Sequence, residues 1–374
     1  MTKAGLDSLR RLVVKIGSSL LIDDRNQLDR AWLDGLADDV ADLRASGHQV
    51  LIVSSGAVAI GSHVLGINPR RSRLEELQAA AAAGQVQLVH AYQEALARHD
   101  IRAAQVLLTP DDTEVKRRFL NARGTLDKLL EHDVVPVVNE NDTVATDELR
   151  YGDNDRLAAR VAQTIMADGL ILLSDVDRCY TADPRSNDEA EFLAVVERID
   201  ARHLAMAGES GTTVGRGGMH TTVQAARIAT HAGCATIIAS GAGERPLDHL
   251  FRGGRHTIFP APDTPAAARK QWLAGMLDVS GGLRLDEGAA RAVRDGKSLL
   301  PVGLIAVDGE FGRGDAVTLA GPDGAEFGRG LAAYASNEAK AIMGCRSAQI
   351  EGILGYRGRS VVVHRDDMVL FETK

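Results

Sequence analysis

Paired cysteines are the first thing this sequence lacks. Its 374 residues include only Cys179, Cys234 and Cys345, far apart and in no CxxC or Cys/His ligand spacing. That argues against disulfides and structural zinc, and for buried free thiols in a reducing cytoplasm. Aromatic residues make up 4% of the chain, which removes stacking platforms for single-stranded nucleic acid. No stretch approaches the roughly 20 uninterrupted apolar residues that a bilayer crossing needs, so no membrane attachment is expected. Residues 1–11 mix Lys3, Asp7, Arg10 and Arg11 with no signal-peptide core behind them, so export is not expected. Positive charge is also in deficit. Against 51 acidic residues stand 43 Lys and Arg, net −8, so any anionic ligand must be met locally and not by the overall field.

What is present is ordinary for a well-packed chain: 45% hydrophobic and 25% charged residues, at a length that predicts two domains. Short runs rich in Val, Ile and Leu recur at 12–16, 50–53, 105–108, 134–138, 170–173 and 236–239, and read as strands buried on both faces. Between them, 29–45, 73–98, 114–131 and 155–166 carry apolar residues at three- and four-residue steps, the mark of amphipathic helices. Alternating strand and helix predicts an α/β fold, a mostly parallel sheet sandwiched by helices. Near residue 258 the pattern changes. The Pro-rich segment 259–278 reads as a linker between a first domain at 1–258, expected to fold alone, and a small β-rich domain at 279–374. There Glu-Phe-Gly-Arg-Gly appears twice, at 310–314 and 326–330, and each copy suits a tight turn.

Two motifs mislead. Gly296-Lys297-Ser298 ends like a P-loop, but Arg291 stands where that motif needs glycine. Gly215 to Gly218 fails as a dinucleotide fingerprint, because His220 occupies the third glycine position.

In a parallel sheet, ligands sit beyond the carboxyl ends of the strands, and four strand ends here carry unusual residues. Lys15 lies inside an apolar run ahead of Gly17-Ser18-Ser19, either snorkelling from an edge strand or held against a phosphate beside backbone N–H groups. Ser54-Ser55-Gly56 follows the second run, its serines serving as helix N-caps or as donors to a carboxylate. Asn139 to Val144, then Tyr151-Gly152-Asp153-Asn154-Asp155, supply more amides and carboxylates than a loop requires, and suit the ammonium and carboxylate of an amino acid. Ser174 and Asp175 end another run. The glycine-rich 211–219 opens a helix near Gly218, which suggests phosphates on a helix N-terminus.

These segments occur in one order: VVKIGSSLL, VSSGAVAIG, QAAAAAGQ, FLNARGTL, VVPVVNENDTVATDELRYGDND, YTADPRSN, GGM with QAA, then LDEGAA, FGRGD, ILGY and VHRDDM. Together they resemble the glutamate 5-kinase family of the amino acid kinase superfamily, followed by a PUA domain, over nearly the whole chain. The resemblance implies ATP-dependent phosphorylation of the L-glutamate side-chain carboxylate, the first step of proline biosynthesis. It implies that Lys15 contacts the ATP phosphates, that Ser55, Asp142 and Asn154 bind glutamate, and that Asp155 organises the phosphate-binding cations. It places Ser174, Asp175 and the segment Arg216, Gly217, Gly218, Met219, His220, Thr221, Thr222 along the nucleotide. Mg²⁺ is expected with ATP, its ligands unassigned, and a homo-oligomer inhibited by proline is implied.

The chain departs from the family pattern on the nucleotide side. Threonine has become Arg216, the signature lysine has become Thr222, and Arg178, Cys179 and Arg156 replace glycine, leucine and a smaller residue. The leading expectation is an active kinase in which Arg216 or Arg156 replaces the lost charge, with Arg216 then catalytic beside Lys15 and Asp155. The rival is a glutamate- or proline-sensing protein with a disabled phosphate site. A kinase acting on N-acetylglutamate or aspartate is disfavoured by the NENDTVATDELRYGDND block. The tail carries 12 basic and 13 acidic residues over 281–374, a poor footprint for nucleic acid, and a regulatory or assembly role is expected of it.

Overall fold

The computed structural model describes residues 3–23, 27–144, 154–181, 189–206, 219–275 and 279–371. The chain divides into two compact units, one of residues 1–113 and 122–265 and the other of residues 114–121 and 266–374.

In the first unit the strands are β1 (Arg11–Ile16), β2 (Gln49–Val53), β3 (Arg102–Leu108), β4 (Val134–Glu140), β5 (Gly169–Ser174), the short pair β6 (Cys179–Tyr180) and β7 (Phe192–Leu193), then β8 (Ala235–Ser240) and β9 (His256–Phe259). Seven of them form one sheet in the order β3-β4-β2-β1-β5-β8-β9. Every neighbouring pair is parallel except β8 with β9. All six expected strands are present. The antiparallel edge β9 was not expected; it is four residues long, and its sequence, His-Thr-Ile-Phe, carries no clear apolar run.

Side chains alternate across the sheet with period two, so one strand feeds two cores. Val14 and Ile16 pack with the helices Arg30–Ala45 and Leu74–Ala97 on one face, while Val13 packs with Asn154–Thr164 and Met219–His231 on the other. The expectation of strands buried on both faces holds at the centre and fails for β3, an edge strand with only Leu108 fully buried.

The first strand lies fourth of seven, between β2 and β5. The chain reaches β2 on one side of it and β5 on the other, which opens a crevice beyond its carboxyl end. Beside that crevice the helices Ala57–Leu65 and Leu74–Ala97 cross at backbone distance. A Cβ on Gly61 would lie 1.7 Å from the Ala80 oxygen, and one on Gly84 1.9 Å from the Ala57 oxygen. The alanine run is therefore a surface for close approach, with the two glycines at its tightest points.

In the second unit β10 (Gly281–Leu285), β11 (Leu304–Gly309), β12 (Ala316–Ala320), β13 (Glu326–Leu331) and β14 (Met368–Leu370) form a five-stranded sheet in the order β11-β10-β12-β13-β14. Of the two Glu-Phe-Gly-Arg-Gly copies, the first makes the turn between β11 and β12, with Gly314 at φ 93°. The second is strand β13 itself. There Gly328 and Gly330 are needed because a Cβ would meet the Val369 oxygen at 2.6 Å and Val363 at 2.5 Å, so the turn reading is corrected for this copy.

Candidate active site

Lys15 does not snorkel from an edge. On the central strand β1 its side chain is 13% exposed, and its Nζ lies 2.6 Å from Asp155 Oδ1, whose side chain is 5% exposed. A charge pair this deep is costly unless further hydrogen bonds support it, and two hydroxyls reach the second carboxylate oxygen. Thr222 Oγ1 donates to Asp155 Oδ2 at 2.7 Å and Thr221 Oγ1 approaches the same oxygen at 3.4 Å. The threonine standing where the family pattern has lysine is thus buried and bonded to the carboxylate that Lys15 pairs with. Gly17 has ordinary extended geometry at φ −70°, and its N–H is spent on the Leu173 carbonyl at 3.3 Å, so it is not one of the expected N–H groups for a phosphate.

Asn154 and Asp155 open the same helix, Asn154–Thr164, and face different strand ends. Asn154 Nδ2 donates to the Ser54 carbonyl at 2.8 Å, to Ser55 Oγ at 2.7 Å and to Asn139 Oδ1 at 3.2 Å. Two consecutive residues therefore tie the end of β2 to the end of β1. The serines are not helix caps. Gly56, at φ 102°, holds the N-cap of the helix Ala57–Leu65 without a side-chain bond, and a left-handed residue there swings the chain out of β2. Ser54 is fully buried with its hydroxyl against Tyr92 Oη at 3.0 Å, which leaves Ser55 facing Asn154.

Asp142 follows β4 on a single 3-10 turn, Asp142–Val144. Its carboxyl is pushed up to about 6 because burial disfavours the charged form and no described cation offsets it. The structure bonds Lys15, Asp155, Thr221 and Thr222 into one set and Ser55 and Asn154 into another, and the two meet at the consecutive residues 154 and 155. It does not bring Ser174, Asp175 or His220 into either. Ser174 Oγ bonds Asp175 Oδ1 at 3.0 Å just beyond β5. His220 bonds the Leu204 carbonyl at 3.2 Å and Gln224 at 2.7 Å. Met219 packs against the core. Arg216, Gly217 and Gly218 lie outside the described residues.

The other departures are accounted for locally. Arg178 is 8% exposed, pairs with Asp177 at 2.5 Å and stacks on Tyr180 and Phe192, while Cys179 is a small buried core residue. Burial pushes the Cys179 thiol up to about 11 and raises that of Cys234 further, so both are inert; Cys345 is half-buried. Arg156 is exposed on the helix that carries Asp155.

Sequence reasoning included Asn139 only as part of the stretch 139–144, gave it no role of its own, and did not single out Gln85. Asn139 Nδ2 donates to Gln85 Oε1 at 2.8 Å, and both side chains are buried. A signal existed for Gln85. It falls on the apolar stripe of its helix, four residues after Ala81 and three before Leu88, where a polar side chain needs a reason.

Among the described residues no helix is long and apolar enough to cross a membrane. The model of the amino acid kinase family matches residues 10–240, and that of the PUA domain matches residues 281–354. The glutamate 5-kinase of Rhizobium rhizogenes is 53% identical over 98% of this chain and 95% of its own length. Those of Paramagnetospirillum magneticum and Rhodospirillum rubrum are 53% and 54% identical, covering 98% and 96% of this chain and 99% and 96% of their own. A buried lysine–aspartate pair and an amide cluster at adjacent strand ends, within these two matches and at this identity, lead to one assignment: the chain belongs to the amino acid kinase family, among its glutamate 5-kinases, with a PUA domain after the kinase region.

Proposed function

We propose that the crevice beyond β1, β2, β4 and β5 holds L-glutamate on the side of Ser55, Asn154 and Asp142, and the ATP phosphates on the side of Lys15 and Asp155. The chain is a glutamate 5-kinase, which transfers the ATP γ-phosphoryl group to the side-chain carboxylate of L-glutamate. The observation that carries the site assignment is the adjacent pair at one helix start: Asn154 reaches Ser55 at 2.7 Å while Asp155 reaches Lys15 at 2.6 Å. One rigid turn thereby sets acceptor and donor sides against each other, and the helix adds partial positive charge where the anions meet.

The acceptor is a carboxylate with a pKa near ~4.3, already ionised at neutral pH, so no general base is required. What the reaction requires is alignment, and cations against the charge on the transferring phosphoryl. Lys15 supplies one such cation and Asp155 with Thr222 fixes where its Nζ points. Arg216 supplies a second from the glycine-rich segment, and Ser174, Asp175 and the residues from Met219 to Thr222 line the nucleotide. Among the described residues no cluster of three or more His, Cys, Asp or Glu could cage an ion. Asp155 is the one carboxylate in the set around Lys15 and is already paired with it, which fits a Mg²⁺ that would arrive with the nucleotide and would there supply charge neutralisation. The reading extends to a cytoplasmic homo-oligomer restrained by proline, with a kinase domain at 1–258 and a PUA domain at 279–374 that serves regulation or assembly.

Separate kinetics for the two substrates test the assignment. Asp142→Ala should raise the KM for glutamate at least about tenfold, the effect of a lost charge-assisted contact, with the KM for ATP within about twofold. Lys15→Met should lower kcat by about 10²-fold or more with little change in glutamate KM. Equal effects of Asp142→Ala on both KM values would refute the division.

A further inference from the structure

Three side-chain amides run in series from the helix Leu74–Ala97 to the glutamate side: Gln85 Oε1 accepts from Asn139 Nδ2 at 2.8 Å, and Asn139 Oδ1 accepts from Asn154 Nδ2 at 3.2 Å. Backbone groups fix which end is which for Asn139 and Asn154, and Asn139 in turn fixes Gln85. The Glu140 N–H can only donate, and it donates to Asn139 Oδ1 at 2.9 Å, so the other end of Asn139 is its NH₂. The Ser54 carbonyl can only accept, and it takes Asn154 Nδ2 at 2.8 Å, so Asn154 turns its oxygen elsewhere. That oxygen is buried and has no hydrogen-bond partner among the described residues, on a side chain whose residue is 4% exposed. A buried acceptor left open beside Ser55 is a costly feature unless a donor arrives with the ligand. The α-ammonium of an amino acid is such a donor.

We propose that Gln85 is a positioning residue for the glutamate substrate: its side-chain oxygen anchors the Asn139 amide, and through Asn139 it holds Asn154 Oδ1 aimed at the substrate ammonium. Gln85 is 7% exposed, so nothing from solvent can replace it as the acceptor for Asn139 Nδ2. Remove that acceptor and Asn139 holds a buried unpaired NH₂, which it relieves by rotating. The rotation withdraws the oxygen that Asn154 Nδ2 bonds, and Asn154 loses one of its three acceptors. The series is directional, so its effect falls on glutamate and not on the nucleotide, where Lys15 and Thr222 bond Asp155. The close crossing at Gly61 and Gly84 serves the same end, since Gly84 precedes Gln85 and brings its side chain to β4.

The proposal rests on placing glutamate against Asn154, and the test separates the two ideas. Full-length Gln85→Met, Gln85→Glu, Gln85→Asn and Asn154→Ala are compared for both KM values, kcat and thermal midpoint. Methionine keeps the length and volume of glutamine without an acceptor, glutamate keeps the acceptor oxygen, and asparagine sets the amide back by one methylene. Gln85→Met should raise glutamate KM about tenfold, with ATP KM and kcat within about twofold, the loss expected of one oriented buried hydrogen bond. Gln85→Glu should restore glutamate KM to within about threefold, and Gln85→Asn should fall between. A lowered midpoint in Gln85→Met with glutamate KM unchanged would overturn the proposal and leave Gln85 a packing residue. So would Gln85→Glu as impaired as Gln85→Met. If Gln85→Met does not fold, the comparison of Gln85→Asn with Gln85→Glu decides, and an unchanged glutamate KM in both refutes the role. Unchanged glutamate KM in Asn154→Ala would overturn the site assignment itself, and the proposal with it.

Discussion

Thr222 exchanges a cation for a hydroxyl at the most sensitive point of the site. It keeps Asp155 in place through a 2.7 Å bond but adds no charge, so Lys15 and Asp155 stand there as a neutral pair. Deleting one preorganised donor beside a reacting oxyanion costs about 10²- to 10³-fold in rate, and a planar, permanently charged arginine is suited to recover it. Arg216→Thr should therefore lower kcat sharply in the native background and be tolerated once Thr222→Lys is present, a non-additivity that marks a shared role. Unchanged turnover in Arg216→Thr, with a strong gain from Thr222→Lys, would show that Arg216 does not compensate. Asp142 gives a second residue-level test. Its carboxyl titrates at about 6 in the fold against 3.8 in a free chain, so its stabilising contribution is complete below pH 4 and is lost as pH rises through 6. Asp142→Asn should thus raise the thermal midpoint at pH 7.5, leave it nearly unchanged at pH 4, and still weaken glutamate binding. A lower midpoint at pH 7.5 would mean that the carboxylate is held by a partner.

At the scale of elements, the helix crossing is the feature on which the glutamate side depends most. Gly84→Ala places a Cβ 1.9 Å from a backbone oxygen that cannot rotate away, so the helix Leu74–Ala97 must shift. Overpacking of this kind costs about 1–3 kcal/mol. A lower thermal midpoint and a raised glutamate KM are expected together, because Gln85 moves with its helix; a lower midpoint alone would uncouple the crossing from the site. The elements themselves were legible. Five of the six expected strands lie in the sheet interior, where apolar runs are continuous, and Asp29 caps the first long helix by accepting from the Trp32 N–H. The positions of Lys15, Ser55, Asn154 and Asp155 at strand ends and a helix start were legible for the same reason. Less was visible where meaning comes from register: the edge strand β9, the second Glu-Phe-Gly-Arg-Gly as a strand, and the polarity of the Gln85–Asn139–Asn154 amides, which only their hydrogen-bond partners fix. The alanine run was visible as composition, but its purpose shows only in the distance between two helices.

For the whole molecule, the Pro-rich segment is not the whole of the division between units. Residues 114–121 group with the second unit, where Leu120 packs with Leu273, Ala316, Leu331 and Val369, and Arg269 stacks on Phe119. A chain ending at residue 265 would strip Leu120 of those partners, a loss of about 1.5–3 kcal/mol for one buried leucine. We expect it to fold and phosphorylate glutamate with a lower thermal midpoint, partly recovered by Leu120→Gln, a change that should destabilise the full chain. Complete loss of activity in soluble truncated protein would show that the kinase region is not self-sufficient. The central claim, that one turn carrying Asn154 and Asp155 joins a glutamate side to an ATP side in a working kinase, has a direct test. Purified full-length protein is supplied with ATP, Mg²⁺, hydroxylamine and either L-glutamate or N-acetylglutamate, and acyl phosphate is trapped as hydroxamate. ATP-dependent hydroxamate should form from L-glutamate and not from N-acetylglutamate, whose acylated nitrogen presents no ammonium to Asn154 and Asp142. Equal turnover of the two would contradict the glutamate side, and no hydroxamate from a protein that still binds glutamate would contradict the kinase.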